Sequence, residues 1–308
     1  MDQPIAAGKH FILIMFKLRT GYFVSGIVTG LVLFVSFLWS LPDGKLHLVF
    51  CNVGQGDAAY VRFADGKDML IDGGPNDSVL GCLGKHMPFW DRNIDIVVLS
   101  HPQKDHMQGL IEVLRRYKVD YFVHSKVVND TDGFREMEKI LVEKKVIVKD
   151  VVQADEIDVG NAKITTVWPT QGQLALAQGQ ESVLGVSTTT NLNDFSVVLL
   201  LSYGEFDALF PGDADNHVNP SLMHAPLGGD PIEVLKVPHH GSKTGMTADY
   251  LTWVNPKLAV ISVGKNSYGH PSPEIVGLLN NKNITIKRTD KAGDIEVVSD
   301  GKTWHVTD

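Results

Sequence analysis

Cysteine is scarce in this chain: 308 residues hold two, Cys51 and Cys82. That excludes a disulfide framework, and without paired spacing it excludes a zinc ribbon. The two thiols either pair with each other in an oxidising compartment or stay free, a choice that geometry decides. A basic surplus is missing as well. The formal net charge is −8, and because residues 1–42 carry Lys9, Lys17 and Arg19 against Asp2, the remainder sits near −10. A surface of that sign does not coat nucleic acid through a general positive field. There is no internal repeat, and a hydrophobic content of 44% rules out a disordered chain.

Charge is absent altogether from Thr20 to Pro42. Tyr22 to Leu41 is about twenty residues, enough for a helix to cross roughly 30 Å of hydrocarbon. Lys9, Lys17 and Arg19 precede this run, while Asp43 and Lys45 follow it. The positive-inside rule then sets the N-terminus in the cytoplasm and everything after Asp43 outside. A cleaved signal peptide is the competing reading. Against it stand the length of the run and Leu38-Trp39-Ser40, which lacks small residues at both cleavage positions. The expected organisation is a cytoplasmic N-terminus with a single-pass membrane anchor over 1–42 and one domain over 43–308.

Beyond the run, short β-branched segments alternate with turn residues. Leu46–Asn52, Ala58–Phe63, Asp68–Ile71, Ile94–Leu99, Ala162–Trp168, Ser196–Leu201, Asp207–Phe210, Val234–Val237 and Leu258–Val263 read as strands. Met107–Tyr117, Gly133–Lys144 and Pro273–Asn280 carry helical spacing. Asp65-Gly66 and Tyr203-Gly204 mark hairpins. Residues 170–194, rich in Gln, Ser and Thr, read as a long loop. The class is α/β with layered strands.

Three of these strands end in residues able to hold a metal. Ser100-His101-Pro102-Gln103-Lys104-Asp105-His106 follows the first, Phe210-Pro211-Gly212-Asp213 ends the second, and Val237-Pro238-His239-His240-Gly241-Ser242-Lys243 ends the third. Neutral imidazole and carboxylate bind divalent ions, and strand ends are where sites assemble in layered α/β folds. A divalent ion in such a setting acidifies water and polarises an electrophile, which makes a hydrolase. Asp105 is placed to orient the water. His270, on a Gly-His-Pro loop, is the candidate for giving a proton to the leaving group or holding a phosphate oxygen. Ser242 and Lys243 are candidate phosphate contacts. Gln55 and Asp57 lie in a Gly-rich turn able to approach the centre closely, and Asp72 reads as an acceptor standing behind the ligands.

His101 to His106, the Gly-Asp of Asp213 and His239 resemble, in that order, the metal-binding motifs of the metallo-β-lactamase superfamily. More narrowly, Asn52-Val-Gly-Gln-Gly-Asp57, Leu70-Ile-Asp-Gly-Gly74, His101–His106, Phe210–Asp213, His239–Lys243 and Tyr268-Gly-His-Pro-Ser-Pro273 look like the extracytoplasmic hydrolase domain of ComEC-type DNA-uptake proteins. The resemblance covers about residues 45–305, and the multi-span channel of those proteins has no counterpart here. It implies a four-layer αβ/βα sandwich with one or two divalent ions, zinc or manganese, at the sheet edges. By position, His101 belongs to the first metal site, Asp105 and His106 to the second, Asp213 bridges the two, and His239 completes the second. Two positions depart from the pattern. Gln103 offers an amide oxygen, a weaker ligand. Before Ser196 there is no histidine, and Asn191, Asn193 and Asp194 offer only oxygen.

The resemblance implies a phosphodiesterase acting on extracytoplasmic nucleic acid, with Lys243, Lys265, Lys287 and Arg288 as local cations and a salt-sensitive grip on the strand. Two alternatives stay open: a non-catalytic module that binds a ligand or partner through an eroded metal site, and a lactam or lactone hydrolase, since a fold alone does not choose a substrate.

Overall fold

The computed structural model describes residues 7–39, 41–177, 179–188, 191–225, 227 and 231–307. The chain divides into two compact units, Met1–Leu41 and Pro42–Asp308. In the first, Ala7–Trp39 is one helix. Side chains are described for residues 22–38 of it, which carry no charge and expose Phe23, Ile27, Leu31 and Phe34. Among the described residues no helix is long and apolar enough to cross a membrane. The expected span Tyr22–Leu41 includes residue 40, which lies outside them, and the side chains of Lys9, Lys17, Arg19 and Trp39 also lie outside the described residues.

In the second unit the strands form two large sheets. One runs, in spatial order, Trp304–Thr307, Ile295–Ser299, Leu46–Phe50, Ala59–Arg62, Asp68–Ile71, Asn93–Val98, Lys118–His124 and Ile147–Asp150. The other runs Thr285–Arg288, Leu258–Ile261, Val234–Lys236, Phe206–Phe210, Val198–Tyr203, Ala162–Trp168 and Glu156–Val159. Alternation along each strand explains the layering. Leu46, Leu48 and Phe50 point inward to meet Leu199, Leu201, Phe210 and Val260 of the opposite sheet. Val49, on the other face of its strand, packs instead under the helices Ser78–His86 and Lys104–Arg116 through Leu83, Leu110 and Leu114. The second sheet buries Leu209, Leu235 and Ala259 under the helices Ala248–Val254 and Pro273–Asn281 through Tyr250, Leu251 and Leu279. The result is helix, sheet, sheet, helix, the four layers that the resemblance implied.

Parallel pairing sets the position of the site. Ile71 pairs with Val98 and Val98 with Val123 in the first sheet, and Leu209 with Leu235 and Lys236 with Val260 in the second. The loops carrying the metal-capable residues leave the C-terminal ends of these parallel strands. Both expected hairpins are present, turning at Gly66 (φ 89) and Gly204 (φ 62). The long loop 170–194 holds more order than its composition suggested. Thr170 caps a short helix, Gln171–Leu174, by accepting from Gln173 N, and Val186–Ser187 pairs with Val127–Val128. Residues 178, 189 and 190 of that segment lie outside the described residues.

Candidate metal centre

The helix that follows the first metal-capable loop begins at Lys104, three residues before the start expected from the sequence, so Asp105 and His106 stand in its first turn. Gln103 takes extended backbone as the N-cap, and its carbonyl accepts from the N–H groups of His106 and Met107 at 3.1 and 3.0 Å. A carboxylate in the first turn is favoured by the exposed N–H groups and the dipole there. The Gly-rich turn 54–56 closes over this helix end. Asp57 N donates to Asp105 O at 3.1 Å, and a Cβ on Gly56 would lie 2.3 Å from that same oxygen, so only glycine allows the approach.

From the second sheet, Asp213 follows the strand Phe206–Phe210 and His240 follows Val234–Lys236. His239 and His240 both adopt left-handed backbone, with φ of 48° and 53°. That turn sends the two adjacent imidazoles to different places. His240 is buried, while the His239 side chain is 23% exposed and binds Asp215 Oδ1 at 2.8 Å.

Asp105, His106, Asp213 and His240 each offer a ligand atom, and these atoms all lie within 4.8 Å of one another. His106 Nε2 is 3.3 Å from Asp213 Oδ1, and His240 Nε2 is 3.4 Å from both Asp213 Oδ2 and Asp105 Oδ2. Both Nε2 atoms and both Asp213 oxygens are buried without a hydrogen-bond partner. A buried polar atom left so costs about 1–3 kcal/mol, and four converging on one point fit a common partner. Two imidazoles and two carboxylates suit a divalent cation such as zinc or manganese.

Behind each imidazole stands an acceptor that fixes its ring. His106 Nδ1 lies 2.8 Å from Asp72 Oδ2, and Asp72 also accepts from Ser100 N at 2.7 Å and Ser100 Oγ at 2.6 Å. His240 Nδ1 lies 3.0 Å from Ser262 O and 3.2 Å from Asp57 Oδ1. This arrangement turns both Nε2 atoms toward the centre. The turn bearing Asp72 is pressed onto the helix because Gly109 has no side chain: a Cβ there would sit 2.0 Å from Gly73 O.

Lys236 is the residue that sequence reasoning missed. It is 3% exposed, pairs with Asp57 Oδ2, donates to Gly212 O at 3.0 Å and lies 3.5 Å from Asp213 Oδ1. A lone lysine inside the apolar run Val234 to Val237 was the available signal, since a charge there must be buried and therefore paired. A cavity of about 20 Å³, lined in part by Asp57, Asp72 and Lys236, adjoins these groups and has room for one water.

Charge holds the cluster of donors together. Burial acts to raise Asp213, but His240, His106 and Lys236 keep it well below the usual carboxylate range. Burial likewise opposes the charged forms of His106 and His240, yet Asp213 with Asp72 lifts the first well above the ordinary histidine value, and Asp213 with Asp57 does the same for the second. His101 goes the other way, pushed down to about 3 by burial and by His106.

The other sequence candidates fall as follows. His101 is buried, with Nε2 3.2 Å from Gln103 Oε1 and its ring 4.1 Å from that of His106, beside the four-residue group but not in it. His239, expected as a ligand, stands at the edge of the four-residue group with Nε2 3.7 Å from Asp213 Oδ2, while His240 stands within it. Asp57, expected at the substrate, is buried against Lys236 and His240, so it supports the donors from behind. Gln55 is tied through Oε1 to Gly264 N at 3.3 Å. Ser242 is buried and engages Thr244, whereas Lys243 is exposed. His270 stands at the rim, its ring 5.7 Å from His239 and 6.5 Å from His240. A further group, Asp194, Asp215 and His217, lies beyond His239, and there Asp215 is already satisfied by Asn191, His239 and Thr244.

The Cys51 and Cys82 sulfurs are bonded, with the Cα atoms 5.7 Å apart.

Residues 51–265 match the model of the metallo-beta-lactamase superfamily. ComE operon protein 3 of Bacillus subtilis is 24% identical over 291 residues, covering 89% of this chain and 35% of that protein. Competence protein ComA of Neisseria gonorrhoeae is 33% identical over 261 residues, 83% of this chain and 33% of ComA. These matches bear out the ComEC-type resemblance, and this chain spans about a third of the length of the two relatives. The metallo-beta-lactamase fold protein YhfI from Bacillus subtilis superposes with a TM-score of 0.50 over 82% of this chain and 99% of YhfI, at 11% identity. The chain belongs to the metallo-beta-lactamase superfamily, whose members are generally metal-dependent hydrolases.

Proposed function

We propose that this chain is a membrane-anchored, metal-dependent phosphodiesterase that cleaves nucleic acid or a related phosphodiester outside the cytoplasm. The observation that carries the reading is the convergence of ligand atoms from Asp105, His106, Asp213 and His240 on one point, those of His106, Asp213 and His240 buried without a hydrogen-bond partner. A divalent ion there supplies Lewis acidity and an acidified water. Asp105, whose side chain is 34% exposed, is the donor that faces arriving solvent, so it doubles as the group that orients a water. His270 has a pKa lowered by burial and by His239 and His240. A neutral imidazole donates an N–H to a phosphate oxygen, and that role suits His270 better than proton delivery to the leaving group. Lys287, Arg288 and Lys291 line one surface pocket and give the substrate's charge a local partner on an otherwise acidic chain.

The extracytoplasmic setting is supported by the Cys51–Cys82 bond, which persists in an oxidising compartment, and the anchor by the charge-free helical residues 22–38 with their exposed Phe23, Ile27, Leu31 and Phe34. A non-catalytic module remains the second reading, favoured by His101, whose Nε2 meets the amide oxygen of Gln103 instead of a second donor cluster.

The test is cleavage of single-stranded DNA by the full chain in detergent, stripped with chelator and then given Mn, Zn or Mg, at rising salt. Metal-dependent cleavage that falls steeply with salt and disappears in Asp105→Ala supports the phosphodiesterase. Metal retained with no turnover on DNA, RNA or small diesters supports the module, and turnover confined to lactams or lactones supports neither.

A further inference from the structure

Tyr268 leaves most of its ring outside the core. It is 75% exposed, the most exposed aromatic side chain among the described residues of 42–308. Keeping a tyrosine ring in water forgoes the burial that aromatic rings ordinarily provide. Its loop is nonetheless rigid. Asn266 Nδ2 donates to Gly264 O and His270 O, both at 2.9 Å, and Asn266 Oδ1 accepts from Tyr268 N at 3.1 Å and His270 N at 3.0 Å. One asparagine side chain thus ties both ends of the loop and fixes the Tyr268 backbone between them. The ring lies 5.7 Å from the His270 ring, inclined 33°, and His270 lies 6.5 Å from the donor His240, inclined 30°. Three rings therefore step outward from the metal centre, and the outermost shows its face to solvent.

We infer that Tyr268 is a stacking platform for a nucleobase beside the scissile phosphate, so that the substrate is a strand with unpaired bases and not a bare phosphodiester. The inference rests on the phosphodiesterase reading and deepens it. A π-face held rigidly two ring contacts from the donors fits a planar partner whose phosphate must reach the metal centre. In a paired duplex the face of the base is already covered by the neighbouring base pair. The exposed Lys265 on the same loop adds a cation next to the platform.

The test compares the full chain, loaded with Mn or Zn in detergent, with Tyr268→Ala and Tyr268→Phe. The probes are a fluorescent single-stranded oligonucleotide, the same strand made abasic at the nucleotides flanking the cleaved bond, and a small diester, bis(p-nitrophenyl) phosphate. Removal of one stacking contact is expected to weaken oligonucleotide binding by anisotropy, and to raise KM, roughly 5- to 150-fold. The abasic strand loses its affinity for the parent chain and is indifferent to Tyr268→Ala, kcat stays unchanged, and Tyr268→Phe restores binding. Thermal melts of the two variants matching the parent show that the fold is intact. Equal binding of the intact and abasic strands by the parent chain, or an unaltered KM in Tyr268→Ala, overturns the platform while leaving the phosphodiesterase standing. A shift in sedimentation caused by Tyr268→Ala, with DNA binding unaltered, makes the ring a protein contact and also overturns it. If the parent hydrolyses neither DNA nor the small diester with any metal, the phosphodiesterase reading falls first and the platform with it.

Discussion

The two sheets contribute to the centre in different ways. The first sheet delivers Asp105 and His106 from consecutive positions on one helical turn, backed by the carboxylate of Asp72, and its neighbourhood is fixed covalently by Cys51–Cys82. The second sheet delivers Asp213 and His240 from separate strand-end turns, and Lys236 lies among them. One side is thus organised by a contiguous motif and a bond, the other by backbone geometry and a buried ion pair to Asp57. A site assembled this way is as well placed as its less local half allows.

The sharpest way to break the contrast is to remove the adjacent histidines one at a time. His240→Ala is expected to abolish stoichiometric zinc or manganese retention through dialysis, while His239→Ala, outside the donor group, lowers affinity by about 10- to 100-fold. Metal analysis of the dialysed proteins decides it, and the reverse order would return the ligand role to His239. Next in size is Lys236→Met, which leaves the buried Asp57 without its lysine partner. Urea unfolding should show a loss of about 3–5 kcal/mol, partly recovered in the double variant with Asp57→Asn. If the single variant is neutral, the ion pair is not what secures the second sheet's side.

On the first sheet's side, Cys51→Ser with Cys82→Ser opens a loop of sequence separation 31 and is expected to cost about 3–4 kcal/mol in the same assay. The smallest effect concerns protons. Burial pushes the Asp68 carboxyl up to about 6, against the pull of Tyr60, which donates at 2.5 Å, and of Arg62. A carboxyl raised in the folded state binds more protons there than in the unfolded chain. Its contribution is therefore fully present below about pH 4 and is lost as pH rises through about 6, at up to about 1.4 kcal/mol per pH unit. Asp68→Asn should flatten that slope in pH-dependent melts, and a slope left intact would assign it elsewhere.

The same contrast marks how much was legible in the sequence. The layered strands could be read because β-branched runs are short and bounded by turns, and the loop from His101 to His106 because its donors are contiguous. Asp213 could be read from its place after an apolar strand. What could not be read depended on dihedral angles and burial. Nothing in His239-His240 says which imidazole turns inward, since the left-handed backbone that decides it is set by the packed turn. Asp57 looked like a substrate contact because the pairing with Lys236 joins residues far apart in the chain. The start of the helix at Lys104 was hidden by a loop motif that continues into the first turn.

His106 and Asp213 stand more than a hundred positions apart, so no fragment ending before the second sheet holds the full donor set. A nascent or half-threaded chain offers an ion only Asp105 and His106, too few for tight capture. An ion that needs all four donors can therefore be held only once the strands of the second sheet have closed.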